Sequence, residues 1–201
     1  KLLSMSLGAG ETTLIRLVNA YAMIVNGGKK ITPTLIDRIQ DRRGKTIALS
    51  DKRKCIACQS ESGWEGQLPP EIIDIRKTIT DPSSAYQMTS ILKGVVDRGT
   101  GIKLKKLNIN LAGKTGTTND NTNAWFIGFS PDIVVGVYIG YDEPKPLGKR
   151  ETGSSAAVPI FEYFFKEYST LFGHKDGFPQ VVSDTQAYKQ FGNSVVPKVV
   201  E

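Results

Sequence analysis

The sequence predicts an α+β chain in which helices flank an antiparallel sheet, and three observations carry that expectation. Apolar residues recur at three- and four-residue spacing in three stretches, the period of a buried helix face. Three strand-like runs lie between the second and third of these stretches, and Ser130-Pro131-Asp132 joins two of them as a turn. The whole order reads helix, hairpin, loop, helix, three strands, helix, and helices against an antiparallel sheet make an α+β architecture.

The first helix is expected over about 12–25, where Leu14, Leu17, Val18, Tyr21 and Val25 keep the helical period. Asn26-Gly27-Gly28 stops it, because glycine accepts the left-handed cap conformation. Residues 33–49 read as a hairpin: Leu35, Ile36 and Ile39 precede Asp41-Arg42-Arg43-Gly44, and Thr46-Ile47-Ala48-Leu49 follows. Residues 50–70 are polar and rich in Gly, Ser and Pro, a loop or small insertion. The second helix is the best signalled. Asp81 is an N-cap, Pro82 takes the first helical position and Gly99 ends it. Its expected buried stripe is Tyr86, Met88, Ile91, Leu92, Val95 and Val96.

Strands are expected at 108–118, 124–129 and 133–141. The third is apolar at nearly every position, the pattern of a strand covered on both faces. A third helix spans about 156–171, with Ile160, Phe161, Phe164, Phe165 and Tyr168 as its buried face and Pro159 confined to the first turn. Beyond it, residues 173–201 lack periodicity and read as a C-terminal tail.

Composition excludes several classes. With 39% hydrophobic and 23% charged residues, the chain of 201 residues can bury a sizeable core. No apolar run approaches the roughly 20 residues that span a bilayer. No signal segment opens the chain, which starts on Lys1-Leu2-Leu3 as a piece of something longer. The net charge is +6, but the basic clusters at 29–30, 51–54 and 103–106 have no interleaved aromatic residues. They read as solvated loops, and nucleic acid is not an expected partner. Cys55 and Cys58 stand in a polar loop, without the strand and helix of a thioredoxin-like motif. The only histidine is His174, so a four-ligand zinc site is not expected either. The two thiols read as incidental, or as a local disulfide in an oxidising compartment. The expectation is no cofactor and no metal.

Chemistry concentrates in Gly113-Lys114-Thr115-Gly116-Thr117-Thr118. A phosphate loop would need an earlier glycine at fixed spacing and a following helix; the spacing fails and strands follow. Arg98-Gly99-Thr100-Gly101 precedes the motif. Asn123-Ala124-Trp125-Phe126-Ile127-Gly128-Phe129-Ser130-Pro131 and Gly136-Val137-Tyr138-Ile139-Gly140-Tyr141-Asp142 follow it. In this context the chain resembles the C-terminal half of the transpeptidase domain of class A penicillin-binding proteins. Gly8-Ala9-Gly10-Glu11-Thr12-Thr13, Asn26-Gly27-Gly28 and Ala156-Ala157-Val158-Pro159-Ile160 share the resemblance, which extends to about 165 and is weakest over 50–70.

The resemblance implies part of a β-lactamase-like serine-transpeptidase domain at 1–172. It implies an enzyme that cross-links peptidoglycan stem peptides through an acyl-serine intermediate and binds β-lactams. The periplasmic face of the bacterial inner membrane is the implied location, with the anchor in a segment absent from this chain. The implied catalytic residues are Lys114 and Thr117, and the implied substrate-binding residues are Thr115, Gly116, Thr117 and Thr118. The physics of such a strand fits these roles. A peptide can add to an exposed sheet edge by main-chain hydrogen bonds, and Gly116, without a Cβ, lets it come close. The Thr115 and Thr117 hydroxyls would hold a terminal carboxylate, the Thr117 N–H would face the oxyanion, and Lys114 would bring a positive charge beside the reacting centre.

Two of the family's three motifs are missing. The only Ser-x-x-Lys is Ser90-Ile91-Leu92-Lys93, in the helix just before the motif strand, whereas the family's nucleophile lies far upstream. It reads as coincidence. No Ser-x-Asn occurs. The expectation is therefore a partner region upstream in the same protein that carries the serine, and an inactive isolated chain. The rival readings are a D,D-carboxypeptidase or β-lactamase relative, and a non-catalytic binding remnant. Asn123 stands where the family commonly has Asp, and Trp125 reads as core beneath the sheet.

Overall fold

The computed structural model describes residues 3, 8, 10–53 and 72–171. Cys55, Cys58, His174, the tail 173–201 and most of the 50–70 segment lie outside the described residues. Two compact units emerge, one of residues 29–79 and one of the remainder.

In the smaller unit, β1 (Arg38–Gln40) pairs antiparallel with β2 (Thr46–Leu49). This is the expected hairpin, shorter than 33–49. Its turn is set by Asp41, whose carboxylate accepts from the amides of Arg43 and Lys45 at 2.8 and 2.9 Å.

The larger unit is built on the sheet β3 (Ala112–Thr117), β4 (Asn123–Phe129) and β5 (Val134–Gly140), antiparallel and in that order. Residues opposite one another share a face. One face therefore carries Ala112, Lys114 and Gly116 beside Phe129, Ile127 and Trp125. Helices α1 (Leu14–Val25) and α2 (Pro82–Arg98) cover it. Leu14 and Val18 stand over Gly136, the Tyr21 ring lies 6.3 Å from Phe129, and Leu92 packs with Ala112 and Phe129. The other face carries Gly113, Thr115 and Thr117 beside Gly128, Phe126 and Ala124. A π-helical turn (Gly153–Ala157) and α3 (Val158–Leu171) cover it, with Phe126 and Phe161 edge to face at 4.9 Å.

The caps of α2 are those expected. The Asp81 carboxylate accepts from the Ser84 amide at 2.9 Å, and the Gly99 N–H returns to the Val95 carbonyl. Its buried stripe is as expected at Leu92 and Val96 but not elsewhere. Tyr86, Met88 and Ile91 are 58, 44 and 65% exposed, while Ala85, Leu92, Gly94 and Val96 are buried. Ala85, Leu92 and Val96 share one face at the helical period, and Leu92 meets the sheet at Ala112 and Phe129. The same correction applies to α3. Val158, Phe161 and Phe165 are buried, whereas Ile160 is 50% and Phe164 41% exposed. The apolar run is wider than the face that meets the sheet.

The first expected strand is also shorter. Residues 102–107 form a 3-10 helix, Asn108 takes a left-handed φ of 51° and the extended chain begins at Ala112. Strand β5 is covered on both faces near Val137, but Tyr138 is exposed. Two polar ties hold α3. Glu162 pairs with Lys106 at 3.0 Å and Lys166 at 2.6 Å. Burial opposes ionisation of its carboxyl, and the two ammonium groups outweigh it, so the carboxyl titrates below its usual range. Asp132 accepts from Ser130 and from the Tyr168 hydroxyl, whose ionisation burial and that carboxylate push upward.

The corrected faces of α3 make a paired expectation. Phe165→Ala should destabilise the chain by about 3–5 kcal/mol, and Ile160→Ala should stay within about 0.5 kcal/mol. Denaturant unfolding of the two variants checks it; equal losses would restore the wider apolar face.

Candidate active site

Among the described residues strand β3 is an edge, paired with β4 alone. In an antiparallel ladder successive residues point their N–H and C=O alternately to the neighbour and away. The Thr118 amide donates to the Asn123 carbonyl at 3.2 Å, toward β4. The backbone groups of Thr117 and Thr115 therefore face the open edge. The site has the main-chain geometry that strand addition requires.

Lys114 is exposed on the face shared with α1 and α2. Its ammonium curls back to the open edge and donates to the Thr115 carbonyl at 2.8 Å. Thr115 and Thr117 lie on the opposite face, and both hydroxyls have partners behind the strand. Thr115 Oγ1 is 2.8 Å from Thr100 Oγ1, in the loop after α2. Thr117 Oγ1 accepts from the Gly153 N–H at 3.0 Å. Each hydroxyl keeps further hydrogen-bonding capacity. Thr118 serves the turn: its Oγ1 accepts from the Asn123 amide at 2.9 Å and bonds Thr122 at 2.8 Å.

Gly116 lies opposite Trp125. Trp125 is half-buried on the Lys114 face, in ring contact with Tyr138 at 4.5 Å. It lines that face beside the motif rather than filling the core. The Tyr138 hydroxyl donates to Asn123 Oδ1 at 2.9 Å, a bond that Asp would also accept. Ser90 is exposed on α2 and Lys93 half-buried.

Sequence reasoning missed the π-helical turn. Its start is fixed by a reciprocal capping box between Thr152 and Ser155. A Cβ on Gly153 would fall 2.5 Å from the Trp125 carbonyl oxygen and 2.7 Å from that of Gly116, so the turn lies directly against the motif strand. Ser154 Oγ donates to the Thr100 carbonyl at 2.7 Å. The only sequence signal was the family-like run at 156–160, three residues later.

The family model for the penicillin binding protein transpeptidase domain matches residues 1–166. The chain belongs to that family. Penicillin-binding protein 1A of Rickettsia conorii is 48% identical over 189 residues, covering 92% of this chain and 23% of that protein. The protein of the same description from Rickettsia typhi is 51% identical over 165 residues, covering 80% of this chain and 21% of its own length. The crystal structure of penicillin-binding protein 1A from Haemophilus influenzae superposes with a TM-score of 0.70 at 27% identity, over 90% of this chain and 29% of that one. The α+β architecture is thus that of a penicillin-binding transpeptidase domain. The chain spans less than a quarter of the length of these two curated relatives.

The contact at Gly153 generates a sharp expectation for a family member. Gly153→Ala must move the turn off the strand, because the obstructing atoms are backbone. It should cost about 1–3 kcal/mol as an overpacked site. The displacement should appear as amide shifts concentrated at 115–117 and 153–155 in NMR spectra. An unshifted spectrum would mean that the turn does not support the strand.

Proposed function

We propose that this chain supplies the Lys-Thr-Gly strand of a peptidoglycan D,D-transpeptidase. The observation that carries the reading is the open edge of β3, where the Thr117 N–H, the Thr115 backbone and the Lys114 ammonium meet. The family membership supports it.

A stem peptide ending in D-Ala-D-Ala lies along this edge as an added strand. The Thr117 N–H donates to the carbonyl oxygen that becomes the oxyanion; one such donor contributes roughly 3 kcal/mol to the transition state. Thr115 and Thr117 hydroxyls donate to the terminal carboxylate, and Lys114 adds positive charge beside it. The nucleophilic serine comes from a region of the same protein upstream of Lys1. Its oxygen attacks the penultimate carbonyl, D-Ala leaves, and the acyl group passes to the amine of a neighbouring stem. A β-lactam enters by the same carboxylate grip and acylates the same serine. The substrate places this chemistry at the periplasmic face of the inner membrane, with the anchor outside this chain. Thr118 positions the β3–β4 turn.

Two outcomes test this. The full-length protein should form a covalent adduct with a fluorescent penicillin, and residues 1–201 alone should form none, because acylation needs an activated serine. Labelling of the isolated chain at Ser90 would make Ser90-Ile91-Leu92-Lys93 the nucleophile motif and overturn the assignment. In the full-length protein, Thr117→Ala should slow acylation by a carboxylate-bearing penicillin, since a charge-assisted bond contributes about 1.5–3 kcal/mol. Thr117→Ser should be nearly silent, because serine keeps both the donor and the acceptor for Gly153. Equal second-order rates for alanine and the unaltered protein would remove Thr117 from the grip.

A further inference from the structure

We infer that Thr100 and Ser154 are positioning residues that hold Thr115 as a hydrogen-bond donor toward a substrate carboxylate. The inference rests on the reading above, that Thr115 grips a carboxylate.

A carboxylate only accepts, so a hydroxyl that binds it must donate its single hydrogen to it. Any other partner of that hydroxyl must then be a donor. The structure provides one for each threonine of the strand. Behind Thr117 stands the Gly153 N–H, which can only donate and thereby leaves the Thr117 hydrogen free for the edge. Behind Thr115 stands Thr100, oxygen to oxygen at 2.8 Å. That pair shares one hydrogen, and either hydroxyl can supply it. With an anion at the edge only one arrangement satisfies both bonds: Thr100 donates to Thr115, and Thr115 donates to the carboxylate. Chained hydroxyls of this kind polarise one another in the same direction.

Thr100 is held for this task from two sides. Gly101 N–H bonds the Val95 carbonyl at 2.9 Å, which ties the loop to the end of α2. Ser154 Oγ donates to the Thr100 carbonyl at 2.7 Å, which ties the same loop to the π-helical turn. One short turn therefore backs both grip hydroxyls, Thr117 through the Gly153 amide and Thr115 through Ser154 and Thr100. The residues lie 15, 36 and 54 positions apart in the sequence and meet only in the fold.

The test uses the full-length protein and two probes, a penicillin and its methyl ester, which lacks the anionic carboxylate. Second-order acylation rates are measured for Thr100→Val, Thr100→Ser, Ser154→Ala and Thr115→Val. Thr100→Val should lower the rate with the penicillin about tenfold, as loss of one hydrogen-bond donor does, and leave the rate with the ester unchanged. Thr100→Ser should restore the penicillin rate. Ser154→Ala should show the same selectivity with a smaller loss. The ester rate also reports that each variant is folded. An equal loss with both probes, or no loss with either, in Thr100→Val overturns the inference while Thr115→Val still loses the penicillin selectively. If Thr115→Val itself shows no selective loss, the grip reading fails and this inference with it.

Discussion

Gly153 rests with its backbone against the carbonyls of Gly116 and Trp125, nearer than any side chain would permit. The arrangement of the edge follows from this approach. The turn before α3 comes within hydrogen-bonding distance of Thr117, its next residue reaches the loop after α2, and that loop reaches Thr115. The motif strand is thus gripped from behind by backbone and hydroxyl groups, while its front edge stays open. The approach is stable because α3 cannot drift. Phe161 and Phe165 are locked under Phe126, Glu162 is tied to Lys106, and Tyr168 is tied to the β4–β5 turn through Asp132.

Much of this was legible in the residues, and for local reasons. Asp81-Pro82 and Gly99 mark α2 because capping and proline geometry act over one turn. Ser130-Pro131-Asp132 places the β4–β5 hairpin for the same reason. The motif 113–118 was readable because its neighbours restrict it to a strand. The burial phase of α2 and α3 was not legible. Large apolar residues at helical spacing are counted alike from sequence, yet the distance between layers decides which are covered. In α2 the covered positions include Ala85 and Gly94, while Tyr86 and Ile91 stay outside. The start of β3 was also missed: Asn108, where the run was expected to begin, is left-handed, and the strand starts only at Ala112.

The site itself divides along the same line. Lys114, Thr115, Gly116 and Thr117 are contiguous, and their alternation across the sheet follows from strand geometry alone. Thr118 belongs to the turn, which the alternation does not reveal. The supports behind the strand could not be inferred, since a hydrogen bond between Gly153 and Thr117 leaves no trace in the pattern of either segment. Trp125 illustrates the limit in the other direction: its type fits a core, and only the register opposite Gly116 shows that it flanks the motif.

The open edge of β3 has a cost unrelated to chemistry. Unpaired main-chain groups on a sheet edge pair with any extended chain, including another copy of the same protein. Three features limit such self-association. The strand has only six residues, and a tight turn ends it. The third is Lys114, whose ammonium already occupies the Thr115 carbonyl. A strand from another copy would have to displace a charged group from the carbonyl it needs, and would leave that charge against its own backbone. A peptide that ends in a carboxylate compensates the charge it displaces. On the proposed reading the lysine would therefore favour a chain terminus over a continuous strand at this edge.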